Sequence, residues 1–320
     1  LSIKQPHVLI ISPALAGANN GNWQTAWRWQ HLLRPLFRTT IASQWQGEAA
    51  DVMLALHARK SAQSALAWAQ AKGPDQLAVV LTGTDLYRDI QTDPSAQRAL
   101  QMAGQLVLLQ ERGPDALPEA LRHKAQVIFQ SAPRRATLSK TSRHLRVLMV
   151  GHLRDEKDPL TYLRVAARLA IRADIYLDHI GGVLEPVLGQ AAQLTASRYP
   201  QYRWLGGLAH DQTRRHIQRA HVLVHPSKME GGAQVILEAV QSGTPVLASR
   251  IEGNVGMLGP HYAGYFALGD DAALAALLQR CRDDADFLPL LRQQCAARAP
   301  LFEPQREQTL LRQLVAKLAA

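Results

Sequence analysis

The sequence predicts an α/β protein built from two doubly wound domains, each a parallel sheet with helices on both faces. Three observations carry this. Short continuous apolar runs alternate with helical stretches along the chain. A polar, basic stretch from Ser131 to Arg143 interrupts that rhythm once, after which it restarts. The 320 residues suit two cores of roughly 150 residues each better than one.

In the first series, His7 to Ser12 reads as a buried strand. The loop Ala16 to Asn22 leads from it into a helix over Trp23 to Leu36. Asp51 to Leu56 is the next strand, followed by His57-Ala58-Arg59-Lys60-Ser61 and an Ala-rich helix ending at Lys72. Leu77 to Thr82 is the third strand and ends in Thr82-Gly83-Thr84-Asp85; Gln105 to Gln110 and Gln126 to Phe129 complete the set. The second series has strands at Leu145 to Gly151, Asp174 to Ile180, Tyr202 to Leu205, His221 to His225 and Val246 to Ser249. Its helices are expected at Pro159 to Ile171, Leu184 to Tyr199, Asp211 to Arg219 and Gly231 to Ser242, with two closing helices at Asp270 to Asp283 and Glu303 to Ala319. Trp23, Trp27 and Trp29, near helical spacing, read as core and interdomain packing. Two such domains in tandem predict a central cleft between the carboxyl ends of their sheets.

Composition narrows the function. Apolar residues are 47% and charged ones 19%, with no low-complexity tract, so the whole chain is expected to fold. A net charge of +10 points to an anionic partner. The basic residues are dispersed rather than gathered in a stripe with aromatics, which favours a small phosphorylated ligand over nucleic acid. Cys281 and Cys295 have no CxxC or zinc-finger spacing and read as reduced structural thiols. The first residues lack a signal-peptide pattern, and no run reaches the roughly 18 apolar residues of a membrane span. A cytoplasmic protein with neither membrane nor nucleic-acid partner is expected.

Several chemistries lack their motifs. There is no G-x-G-x-x-G with a following acidic residue, no P-loop, no HExxH and no G-x-S-x-G. The lone D-x-D, Asp284-Ala285-Asp286, is not at a strand end, and the His residues show no ligand spacing, so neither a metal nor another cofactor is expected. The informative stretch runs from His225 to Ala239. It leaves a strand, passes Gly231-Gly232 and enters the expected helix carrying Glu230 and Glu238, eight positions apart. Eight helical residues rise about 12 Å, suiting a ligand with hydroxyls at both ends and anionic charge between them. The free N–H groups of Gly231, Gly232 and Ala233 would face a diphosphate.

The run His225 to Ser249 resembles the E-x7-E signature of GT-B glycosyltransferases of the family-4 kind, over residues 145–268 above all. The resemblance implies a GT-B fold: an acceptor-side Rossmann-like domain (1–138), a nucleotide-sugar-binding one (139–300), and a last helix (301–320) crossing back to the first. It assigns the donor-sugar hydroxyls to Glu230 and the ribose hydroxyls to Glu238, with Gly231, Gly232, Ala233 and Gln234 alongside. In Gly151-His152-Leu153-Arg154-Asp155-Glu156-Lys157, Lys157 matches the family lysine and His152 stands where the family has arginine. Arg154 is the candidate replacement, so Lys157, Arg154 and Glu230 are the expected catalytic set. Cationic groups are needed because the UDP leaving group gains charge as the glycosidic bond breaks.

VGHLRDEKDP, LTGTDLYRDI and ALHARKSA are most similar to the selenosugar synthase branch of selenoneine biosynthesis. That similarity implies transfer of a hexosyl or N-acetylhexosaminyl group from a UDP-sugar such as UDP-GlcNAc to selenophosphate. The selenium nucleophile is already ionised and needs no strong base. Acceptor candidates lie after the first three strands: Asn19, Asn20, Gly21 and Asn22; Arg59 and Lys60; Thr84, Asp85 and Arg88. Asn19 to Asn22 also read as a turn, and Asp85 as a cap for the residues after it. A family-4 enzyme with a carbohydrate or lipid acceptor, and a UDP-sugar epimerase, are the alternatives.

Overall fold

The computed structural model describes residues 5–15, 21–34 and 36–320. The chain divides into two compact units. The first comprises Leu1–Gln130, Glu230–Gly232 and Pro304–Ala320, and the second Ser131–Met229 and Ala233–Glu303.

In the first unit, strands β1 (His7–Ile11), β2 (Arg38–Ala42), β3 (Val52–Leu56), β4 (Leu77–Leu81), β5 (Gln105–Leu108) and β6 (Ala125–Val127) form one parallel sheet in the order β2-β1-β3-β4-β5-β6. β1, β3 and β4 are buried along their whole length because both faces are covered. Alternate residues go to opposite layers. Leu9, Ile11, Met53, Ala55, Val79 and Leu81 pack with α2 (Ala62–Lys72) and its neighbours, whereas Val8, Ile10, Leu54, Leu56 and Val80 pack with α1 (Gly21–Leu33). A π-helical turn at Asp85–Asp89 runs into α3 (Ile90–Thr92) and then α4 (Pro94–Met102), whose first amides, Ser95 N–H and Ala96 N–H, are capped by the Asp93 carboxylate.

The second unit holds β7 (Leu145–Val150), β8 (Ile175–Ile180), β9 (Tyr202–Trp204), β10 (Val222–His225), β11 (Val246–Ser249) and β12 (Tyr265–Phe266), all parallel, in the order β12-β11-β10-β7-β8-β9. Its helices are α5 (Pro159–Arg168), α6 (Pro186–Arg198), α7 (His210–Arg219), α8 (Gln234–Val240), α9 (Glu252–Leu258), α10 (Asp271–Asp283) and α11 (Phe287–Arg298). The last helix, α12 (Pro304–Leu318), belongs to the first unit. There its Leu311, Leu314 and Val315 join the α1 layer, and buried Glu307 accepts from Trp29 Nε1 at 2.7 Å and Arg28 Nε at 3.0 Å.

Several expectations need correction. β2, β12, α4, α9 and α11 have no counterpart in the sequence reading. α1 starts at Gly21 and stops at Leu33, so Gly21 and Asn22 are helical rather than loop residues. Trp29 is buried, but Trp27 is 47% exposed and packs on the His31 ring, so the three tryptophans are not one core set. Cys281 and Cys295, expected as reduced structural thiols, need no correction: both are buried free thiols. Among the described residues, no helix is long and apolar enough to cross a membrane.

Candidate active site

In each sheet the strand order reverses once, at β1/β3 in the first unit and at β7/β10 in the second. Ligands of doubly wound sheets bind outside the carboxyl ends of the strands at such a switch point. In the second unit those ends carry Gly151-His152-Leu153-Arg154 after β7 and His225-Pro226-Ser227 after β10.

The loop after β7 is pinned by an extension of the sheet ladder: Gly151 N–H donates to the Ile180 carbonyl and Leu153 N–H to that of Gly182, both at 2.9 Å. Gly181 makes this approach possible, since a Cβ there would stand 1.9 Å from the Gly151 oxygen. Beneath it, His179 Nε2 donates to the Gly151 carbonyl at 3.1 Å and Nδ1 accepts from Tyr202 Oη at 3.0 Å. Burial pushes the His179 pKa down to about 4, so the ring is a neutral strut. His152 Nδ1 accepts from Gly182 N–H at 3.1 Å, which leaves its proton on Nε2. Desolvation, and then the charges of Arg154 and Lys157, hold its pKa below the usual histidine value.

The Lys157 stem runs alongside Gly151, where a Cβ would meet its Cβ, Cγ and Cδ at 3.5–3.6 Å. Asp158 follows in the left-handed region (φ 43°) and caps α5, accepting from Thr161 Oγ1 at 2.6 Å. Arg154 Nε lies 3.9 Å from Glu156 Oε2, so its charge is partly balanced locally. Lys228, from the loop after β10, donates through its backbone to Glu156 and through Nζ to Asp155.

The carboxylate stretch departs from expectation. α8 begins at Gln234, with Ala233 as N-cap, and Glu230 lies in the preceding loop. The helical rise between Glu230 and Glu238 therefore does not apply, and Gly231 and Gly232 do not present helical N–H groups. Close packing in the first unit accounts for the glycine pair. A Cβ on Gly231 would fall 2.4 Å from the Thr82 carbonyl carbon, and one on Gly232 2.6 Å from Leu109 Cβ. Glu238 is buried on α8, and its Oε1 meets His210 Nε2 at 2.7 Å and Gln234 Nε2 at 3.2 Å. His210 and buried Arg214, both on α7, were missed by motif reading because they touch Glu238 from 28 and 24 positions away.

In the first unit, Asn19 and Asn20 lie outside the described residues. Asp85 is fully buried and accepts from Thr82 N–H and Gly83 N–H on Oδ1 (2.9 and 2.8 Å) and from Ala58 N–H on Oδ2 (2.8 Å). It ties the ends of β3 and β4 together, so the carboxylate itself is occupied by backbone. Arg59 and Arg88 both pair with Asp89, at 2.9 and 3.1 Å, while Lys60 is exposed beside them. His57 was overlooked at sequence level. It sits at the end of β3 with φ 71°, a conformation rarely adopted by a non-glycine residue, and its Nε2 is 3.2 Å from Thr84 Oγ1. Burial, opposed by Asp85, lowers the His57 pKa, which keeps the ring neutral near pH 7. Among the described residues no cluster of three His, Cys, Asp or Glu side chains is disposed to hold a metal ion.

Residues 133–300 match the family of glycosyl transferases group 1. A stretch of 112 residues is 32% identical to glycosyltransferase 1 domain-containing protein 1 of Xenopus tropicalis. That match covers 35% of this chain and 32% of the relative, so the chain spans about a third of the relative's length. Among solved structures, sucrose-phosphate synthase from Thermosynechococcus elongatus superposes with a TM-score of 0.78 at 16% identity, over 98% of this chain and 99% of that one. The Anabaena HepE protein in complex with UDP and glucose gives 0.75 at 15% identity, over 98% and 99%. These likenesses show the GT-B fold. With the family match extending over more than half its length, the chain belongs to the group 1 glycosyl transferases.

Proposed function

We propose that the chain transfers a hexosyl or N-acetylhexosaminyl group from a UDP-sugar to a small anionic acceptor, selenophosphate, forming a carbon–selenium bond. The observation that carries the donor half is the convergence of His152, Arg154 and Lys157 at the end of β7, the switch-point strand of a group 1 glycosyl transferase. Cations there favour the charge that UDP gains as it leaves with the bonding electron pair. Glu238 offers an acceptor for nucleoside hydroxyls and Glu230 one for the sugar. The structure of HepE with UDP and glucose, and that of the pneumococcal O-GlcNAc transferase GtfA with UDP and GlcNAc, accord with this donor class.

The acceptor half rests on the sequence resemblance, supported by the excess of Arg59, Lys60 and Arg88 over Asp89 in the first unit. In the reaction, selenium attacks the anomeric carbon as the bond to the UDP oxygen breaks. A hydroxyl acceptor on a carbohydrate or lipid is the second reading, favoured by the pairing of both arginines with Asp89, which takes up cationic capacity an anion would use. Mass analysis of products from a panel of UDP-sugars with selenophosphate tests the two. A sugar–selenium adduct with stoichiometric UDP supports the first; UDP release only with a hydroxyl acceptor overturns it. The Arg59→Ala/Lys60→Ala double variant should keep UDP affinity and lose transfer, and a parallel loss of UDP affinity refutes the acceptor assignment.

A further inference from the structure

The environment of Glu238 is one-sided. His210 and Gln234 both meet Oε1, and Arg214 Nη1 stands 4.0 Å from that same atom; among the described residues no hydrogen bond reaches Oε2. An ionised carboxylate has acceptor sites on both oxygens, so this one is held through one oxygen and keeps the other available. The two partners on α7 differ. Arg214 is buried and anchored by Nη2 donating to the Pro133 carbonyl at 3.0 Å, while its buried Nε has no hydrogen-bond partner among the described residues. The His210 side chain is 59% exposed, opens the helix, and makes its one hydrogen bond among the described residues to Glu238. The unit's core does not need this imidazole.

We propose that His210 is a positioning residue for donor binding: its Nε2–H holds Oε1 of Glu238 so that Oε2 is presented to the hydroxyls of the donor's nucleoside. Without that bond the carboxylate would turn towards Arg214, whose Nη1 already stands 4.0 Å from Oε1, and would be drawn into a closed ion pair. His210 thereby keeps Glu238 from being neutralised by its own scaffold. The inference rests on the nucleotide-sugar reading above and adds a residue that its motif does not contain.

Calorimetric titration of the full chain with UDP tests it, using wild type, His210→Ala, His210→Gln and Glu238→Gln. Loss of a hydrogen bond to a charged group predicts UDP affinity weakened roughly tenfold in His210→Ala. His210→Gln, which still offers an amide N–H, should recover most of it, with melting temperatures of both variants close to wild type. UDP affinity unchanged in His210→Ala overturns the proposal, as does a His210→Gln variant no better than alanine. Loss of affinity in Glu238→Gln beside an unchanged His210→Ala places the failure with His210 alone. If wild type binds no UDP, the nucleotide-sugar reading itself falls and takes this inference with it.

Discussion

Asp85 offers a clean test of whether the first unit uses a carboxylate for its ligand or for its own architecture. In Asp85→Asn, one carbonyl oxygen can still serve Thr82 N–H and Gly83 N–H, but an NH2 group then faces Ala58 N–H in a fully buried site. One hydrogen bond to a charged acceptor is lost and one buried donor is orphaned, a loss of about 3 kcal/mol. For a unit of this size that corresponds to a fall of roughly 6–12 °C in melting temperature. Thermal melts by circular dichroism read this directly, with donor and acceptor kinetics measured well below the transition. A variant that melts with wild type while its acceptor KM rises would refute the architectural reading and return Asp85 to the ligand.

Two further outcomes follow from the second unit. Gly181→Ala places a Cβ 1.9 Å from the Gly151 oxygen, so the loop carrying His152 must shift; a loss of about 3 kcal/mol, the upper range for overpacking, and weaker UDP binding are expected in melts and titrations. The second is acid sensitivity. His179 has a folded pKa near 4 against an ordinary 6.5, so the unfolded chain binds the proton first on acidification. Stability from this group is complete above pH 6.5 and declines as the pH falls towards 4, by roughly 3 kcal/mol in all. Denaturant unfolding at pH 7 and 4.5 measures it, and a His179→Gln variant with an undiminished slope contradicts the assignment.

The order of elements and the core were legible because they depend on local patterning. HVLII, VMLAL and LAVVL are apolar runs too short for helices, and runs of that kind become buried strands when both faces of a sheet are covered. β2 escaped because RTTIA sits at a sheet edge with its residues half-exposed or exposed, leaving no apolar run to read. The glycine pair at 231–232 read as the start of a helix, yet the helix begins at Gln234, because those glycines answer to the close approach of Thr82 and Leu109.

The candidate site divides along the same line. Spacing beyond a Gly-Gly turn singled out Glu238, and the likeness of the stretch from Gly151 to Lys157 to a family motif singled out His152, Arg154 and Lys157, because both are properties of contiguous sequence. What each side chain does was decided by tertiary structure. Asp85 turned inward to backbone amides, Arg59 and Arg88 converged on Asp89, and His210 reached Glu238 from another helix. Hydrogen-bond geometry acts over about 3 Å of space and is indifferent to separation along the chain. The sequence by itself therefore determined which fold and which groups this protein brings to its chemistry. Only the folded arrangement decided which of those groups remain free for a ligand.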